Sequence, residues 1–130
     1  MPCACDLESV REIVRGRPLA RLPGAPEWVR GIMNLRGTLL TVVDLTVRLG
    51  GSSDGLPRVV MVVEAAGKRF GVGVESVQGV AEVAEGSLET LDAQRSAGGV
   101  VAALAHLTEA EGGTAQWCDM EAIAREALAI

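Results

Sequence analysis

Few side chains in this chain can do chemistry, and their spacing suits little of it. There is one histidine, His106, there are three cysteines, Cys3, Cys5 and Cys118, and there is no tyrosine. His106, Cys118 and Asp119 could be drawn as a thiol triad, with the imidazole taking the thiol proton. However, Cys118 lies in an apolar run that reads as a strand, and Asp119 is wanted as the cap of a following helix. Cys3-Ala4-Cys5 with His106 matches no zinc-ligand spacing. Cys3 and Cys5 are too close for an easy bridge, and Cys118 is far away along the chain. The cysteines therefore read as reduced thiols. A thiol-dependent redox or metal-binding protein using Cys3, Cys5 and Cys118 is the competing reading from another class. Gly71-Val72-Gly73 sits within a strand and lacks the helix that a phosphate loop needs. Neither an enzyme, a cofactor nor a metal is expected.

The remaining chemistry is that of surface charge, and the most informative charge is Arg36. It lies in Val29-Arg30-Gly31-Ile32-Met33-Asn34-Leu35-Arg36-Gly37, which runs on through Thr38-Leu39-Leu40-Thr41-Val42-Val43-Asp44-Leu45. Physically this is a strand, a tight turn and a second strand. Gly37 supplies the positive φ that a hairpin turn favours, which puts Arg36 at the tip. Leu39 to Val43 is short enough for a strand buried on both faces. Asp44 then caps the short turn Leu45 to Leu49, closed by Gly50. Gly31 reads as structural, since a side chain there would disturb the strand or the backbone beside it.

Composition bounds what these elements can build. A chain of 130 residues makes one domain, or two small lobes, with enough buried surface to fold without disulfides or metals. Apolar residues make up 48%, but Trp28, Phe70 and Trp117 are the only aromatic ones. The core must be aliphatic, and many valines with 16 glycines favour short strands and tight turns. The net charge is -5, and the whole acidic excess lies after Pro57, since residues 1–57 carry +1 and residues 58–130 carry -6. An acidic chain without a basic stripe argues against nucleic acid and anionic lipid as partners. No apolar run is long enough to span a membrane, and Met1 to Asp6 has neither the basic region nor the apolar stretch of a signal peptide. Cytoplasm is the expected location.

The chain also echoes itself. Leu7-Glu8-Ser9-Val10-Arg11-Glu12-Ile13 is answered by Val74-Glu75-Ser76-Val77-Gln78-Gly79-Val80. Val29 to Leu35 is answered more weakly by Val101 to Leu107, and Thr41 to Leu45 by Gln116 to Met120. Repetition in one order suggests two similar halves. The expected elements are a strand from Arg58 to Ala65, a turn at Gly67-Lys68 and a strand from Arg69 to Val74. Arg17 to Pro26 is a loop, Pro26 opens a one-turn helix carrying Trp28, and Ala84 to Gly99 is mostly loop. A terminal helix runs from Met120 to about Ile130. The first half has nothing before Cys3 to answer the strand from Val59 to Val63.

The Gly31-x-x-Asn34-Leu35-Arg36-Gly37 stretch, followed by an apolar strand ending in Asp44-Leu45, resembles the CheW-like domains of chemotaxis coupling proteins. The resemblance covers almost all of residues 4–129, most clearly to about Val80. It implies a mainly β fold of two small SH3-like or OB-like barrels packed together, with a C-terminal helix. The expected subdomains are about 3–49 and 58–119, with the helix at about 120–130. It further implies that the family's opening strand and turn are missing here. An uncovered edge follows, and self-association through that first-half edge is an added expectation. Thr41 stands where the family often has proline, and Trp117-Cys118 replaces an aliphatic pair.

By resemblance, the chain is a non-enzymatic adaptor at membrane-associated receptor arrays. Its partners would be the cytoplasmic tip of a chemoreceptor and the regulatory domain of a CheA-type histidine kinase, with no membrane insertion of its own. A diverged paralogue, or a fragment, serving another chemosensory system is the alternative within the family. The resemblance places Glu12 and Arg36 as an ion pair beside the groove for the receptor tip. It also brings Val10, Gly31, Val59 and Val77 to that surface. Ile13 reads more readily as core.

Overall fold

The computed structural model describes residues 3–52, 55–83, 89–90, 101–106 and 113–128. Strand follows strand: β1 (Cys3–Ala4), β2 (Val10–Arg15), β3 (Val29–Leu35) and β4 (Thr38–Asp44) come first. A short helix α1 (Leu45–Arg48) precedes β5 (Val59–Ala65), β6 (Lys68–Val74), β7 (Glu89–Thr90), β8 (Val101–His106) and β9 (Thr114–Cys118). The helix α2 (Met120–Leu128) follows. Mainly β structure with a C-terminal helix is as expected; where two small barrels are expected, the strands form two sheets.

The sheets do not follow the sequence halves. One has the order β2-β5-β6-β4-β3 and the other β1-β9-β8-β7. Strand β4 of the first half pairs in parallel with β6 of the second, through Val42↔Gly71, Val43↔Val72 and Asp44↔Gly73. Strand β9 of the second half pairs in parallel with β1 of the first, through Cys3↔Gln116 and Ala4↔Trp117. Each hairpin thus takes its parallel neighbour from the other half. The compact units are accordingly Glu8–Val77 with Ala124–Ile130, and Met1–Leu7 with Gln78–Ile123. These units are divided differently from the expected subdomains at about 3–49 and 58–119. A parallel pair can join strands from any part of the chain, and local hydrophobic pattern carries no mark of which strand is the partner.

The five-stranded sheet has an aliphatic core of Met33, Leu35, Leu40, Val42, Val60 and Val62, with Val14 and Leu19 packed against it. Val43, Val63, Phe70 and Val72 are buried as well, so adjacent residues of β4 and of β5 are both hidden. That is the pattern of a strand covered on two faces. It holds for Leu40, Val42 and Val43 but fails at Leu39, which is 67% exposed near the hairpin tip. Glycine allows the close approach of central strands: a Cβ on Gly71 would press into the side chains of Val60 and Val42.

The echo extends to the caps. Asp44 accepts a hydrogen bond from the amide of Val47 at the start of α1, and Asp119 accepts from Glu121 and Ala122 at the start of α2. Asp44 is itself buried, and its backbone amide donates to the carbonyl of Trp28 at 2.7 Å. Pro26 opens only a turn, closed by Val29 N–H to Pro26 O at 3.0 Å, and not the expected one-turn helix. The turn between β5 and β6 lies at Ala66-Gly67, one residue before the expected Gly67-Lys68. Of the expected loop from Ala84 to Gly99, β7 is described, and residues 84–88 and 91–99 lie outside the described residues.

Candidate functional site

The β3–β4 hairpin turns on two residues, Arg36 with φ +51° and Gly37 with φ +86°. Two consecutive positive φ values give the tight turn whose twist matches the flanking strands. Glycine takes this conformation freely, whereas arginine is held in it by its surroundings. Asn34 supplies part of the restraint, because its Oδ1 accepts the Gly37 amide at 2.8 Å. The Asn-Leu-Arg-Gly sequence therefore fixes the backbone from which the Arg36 side chain projects.

That arginine reaches β2. Arg36 Nη2 donates to both carboxylate oxygens of Glu12, at 2.7 and 2.8 Å. The Arg36 side chain is 65% exposed and that of Glu12 36%, so water screens the pair. A pair this exposed adds about 0.2–1 kcal/mol to stability and serves mainly to orient two charges. Beside it on the same sheet, Glu64 of β5 accepts from Arg11 of β2 at 3.0 Å and from Arg69 of β6 at 3.3 Å. Hydrogen bonding from Arg69, then from Arg11, holds the Glu64 carboxyl below its usual range. Sequence spacing does not point to this second cluster, because its members meet only through strand register: Glu64 lies opposite Arg69.

Gly31 has a backbone reason for being glycine. Its φ is +145°, and a Cβ would collide with the carbonyl oxygen of Ala20. Ala20 and the neighbouring Ile32 exchange both backbone hydrogen bonds at 2.8 Å, which ties the loop after β2 onto β3. The expectation that a side chain here would disturb a close backbone approach agrees with this geometry.

The apolar candidates are more scattered. Val10 lies opposite Val63, and Val59 opposite Arg15, so the two valines sit at opposite ends of the β2–β5 ladder. Both are half-buried, and Val77, beyond the end of β6, is 38% exposed. Glu12 and Arg36 are thus joined by a direct contact, whereas Val10 and Val59 are separated along the sheet. Ile13 is 51% exposed, contrary to its reading as core. Its exposure follows from the alternation along β2, in which the neighbouring Val14 packs against the core and Ile13 points to the other face.

Among the described residues, no group of three or more His, Cys, Asp or Glu side chains is arranged to hold a metal ion. No helix among them is long and apolar enough to cross a membrane. The cysteines nevertheless depart from the expected arrangement: β1 against β9 brings Cys3 to Cys118.

A family model for the CheW-like domain matches residues 1–128. The chain belongs to the CheW-like domain family. A chemotaxis protein CheW of Rhizobium meliloti (strain 1021) is 31% identical over 86 residues, covering 65% of this chain and 56% of that protein. Protein PilI of Pseudomonas aeruginosa is 37% identical over 73 residues, covering 55% of this chain and 41% of its own length. The chain therefore spans about half the length of the curated relatives it matches. The fold is similar to that of the scaffolding protein TtCheW from Thermoanaerobacter tengcongensis, with a TM-score of 0.77 and 26% identity. That likeness covers 90% of this chain and 80% of the other.

Proposed function

We propose that this CheW-like chain is a non-enzymatic coupling adaptor of a chemotaxis-type system. It holds the helical-hairpin tip of a chemoreceptor and the regulatory domain of a CheA-type histidine kinase in one cytoplasmic array. The observation that carries this reading is the Glu12–Arg36 pair, an exposed contact between an edge strand and a strained hairpin tip. Folding gains little from it, yet the backbone and Asn34 hold Arg36 in place, as a binding residue requires. Val10, Val59 and Val77, each partly exposed, are assigned to the apolar part of the partner surface. Gly31 is assigned a supporting role through the edge of β3.

Arg36→Glu tests this assignment. It removes the pair and sets two carboxylates facing each other, without disturbing a buried group. The circular dichroism spectrum and melting temperature should stay near those of the unaltered chain, while pull-down of receptor tips or kinase falls at least tenfold. Full binding by a folded Arg36→Glu variant would remove Arg36 from the partner surface.

A further inference from the structure

We infer that Cys3 and Cys118 form an oxidant-sensitive dithiol, in which peroxide oxidises Cys3 and Cys118 closes a disulfide that ties β1 to β9. The inference is independent of the adaptor reading. It begins with topology. Cys3 lies in β1, which pairs in parallel with β9, and Cys3 stands opposite Gln116, two residues before Cys118. Alternation along a strand puts Gln116 and Cys118 on one side of β9, so the Cys3 side chain emerges beside that of Cys118. The two thiols act on each other directly, and the Cys118 thiol also lies 3.8 Å from the carbonyl oxygen of Gln116, the residue opposite Cys3.

The two sulfurs differ in the way the reaction requires. Cys3 is exposed on an edge strand, where a small oxidant can reach it. Cys118 is 2% exposed, shielded from oxidant but not from Cys3. The hydrogen bond from Cys118 lowers the Cys3 thiol to about 7, so a good part of it is thiolate at neutral pH. Cys118, which gives that hydrogen bond to Cys3 and is also buried, is pushed up and stays protonated. An exposed thiolate beside a protonated, buried thiol is the division between a sensing and a resolving cysteine.

The chemistry balances with hydrogen peroxide as the oxidant. The Cys3 thiolate attacks one peroxide oxygen, the O–O bond breaks, and the departing hydroxide takes up a proton to leave as water. Cys3 is then a sulfenic acid. The sulfur of Cys118, losing its proton, attacks the sulfenic sulfur; the S–O bond breaks and a second water leaves. The two thiols together have lost two electrons and two protons, and peroxide has been reduced to water. Closing the bond needs the Cα atoms within disulfide range, and β1, two residues long and paired among the described residues with β9 alone, can shift to allow it.

Peptide mapping of the reduced chain after brief treatment with hydrogen peroxide, without reductant, tests the pairing. Reduced thiols should fall from three to one, with Cys3 joined to Cys118 within one molecule and Cys5 still reduced. Cys118→Ala should stop at the first step, so that dimedone labels Cys3, and Cys3→Ser should leave Cys118 reduced. If Cys118→Ala does not fold, mapping of the unaltered chain and of Cys3→Ser decides the matter alone. A Cys5–Cys118 bond, Cys118 left free while Cys3 is oxidised, or links only between molecules would overturn the inference.

Discussion

Arg36 and Gly31 show how differently two residues of one motif can matter. Arg36 is exposed and contributes through its charge, whereas Gly31 acts through having no side chain at all. Gly31→Ala should therefore cost at least about 2 kcal/mol in chemical denaturation, since it adds backbone strain and pushes apart the Ala20–Ile32 pairing. Arg36→Glu should cost less than about 1 kcal/mol in the same measurement and show its effect in binding. Equal losses of stability from the two would contradict this division. Both residues were legible in the sequence, because the hairpin is local: Asn34, Arg36 and Gly37 set its turn within four residues. The Arg11–Glu64–Arg69 cluster was not, since its members lie on three strands whose register no local pattern records. Ile13 was misread for a related reason. Its apolar side chain fits either face of a strand, and only the packing of its neighbour Val14 against the core turns Ile13 to water.

At the scale of elements, the two helix caps and the hairpins β3–β4 and β5–β6 are legible in the sequence, whereas the parallel strand partners are not. A cap is a contact between residues two or three apart, so the positions of Asp44 and Asp119 ahead of apolar runs suffice to find it. Asp44 carries more than a cap, being buried at the junction of β4 and α1 with its amide bonded to Trp28. Asp44→Ala should lower stability by about 1–2 kcal/mol, measured by urea unfolding, whereas Asp44→Asn, which keeps an acceptor oxygen, should recover most of the loss. No difference between the two variants would show that the cap contributes nothing. The exchange of parallel strands between the halves is where local reading ends. The repeat correctly announces two similar hairpins, β3–β4 and β8–β9, but not that each recruits its neighbour from across the chain. Cys3 and Cys118 seemed remote for the same reason.

For the molecule as a whole, the strand exchange relocates the open edge. In the five-stranded sheet, β6 is flanked by β4 on one side and β5 on the other. Its counterpart β1 has β9 on one side and, among the described residues, no strand on the other. Unpaired backbone groups along such an edge invite another strand. Sedimentation velocity under reducing conditions should show concentration-dependent association of this chain, and a monomer at every concentration would remove β1 as an association edge. The central claim is that one copy of the chain joins two partners. The most direct measurement is co-sedimentation of the kinase regulatory domain with membranes bearing chemoreceptors, with and without the chain. Kinase recovered with the membranes should rise at least tenfold when the chain is added, and Arg36→Glu should abolish the rise while remaining folded. Kinase recovery that does not change with the chain present, although the chain is folded, would contradict the claim.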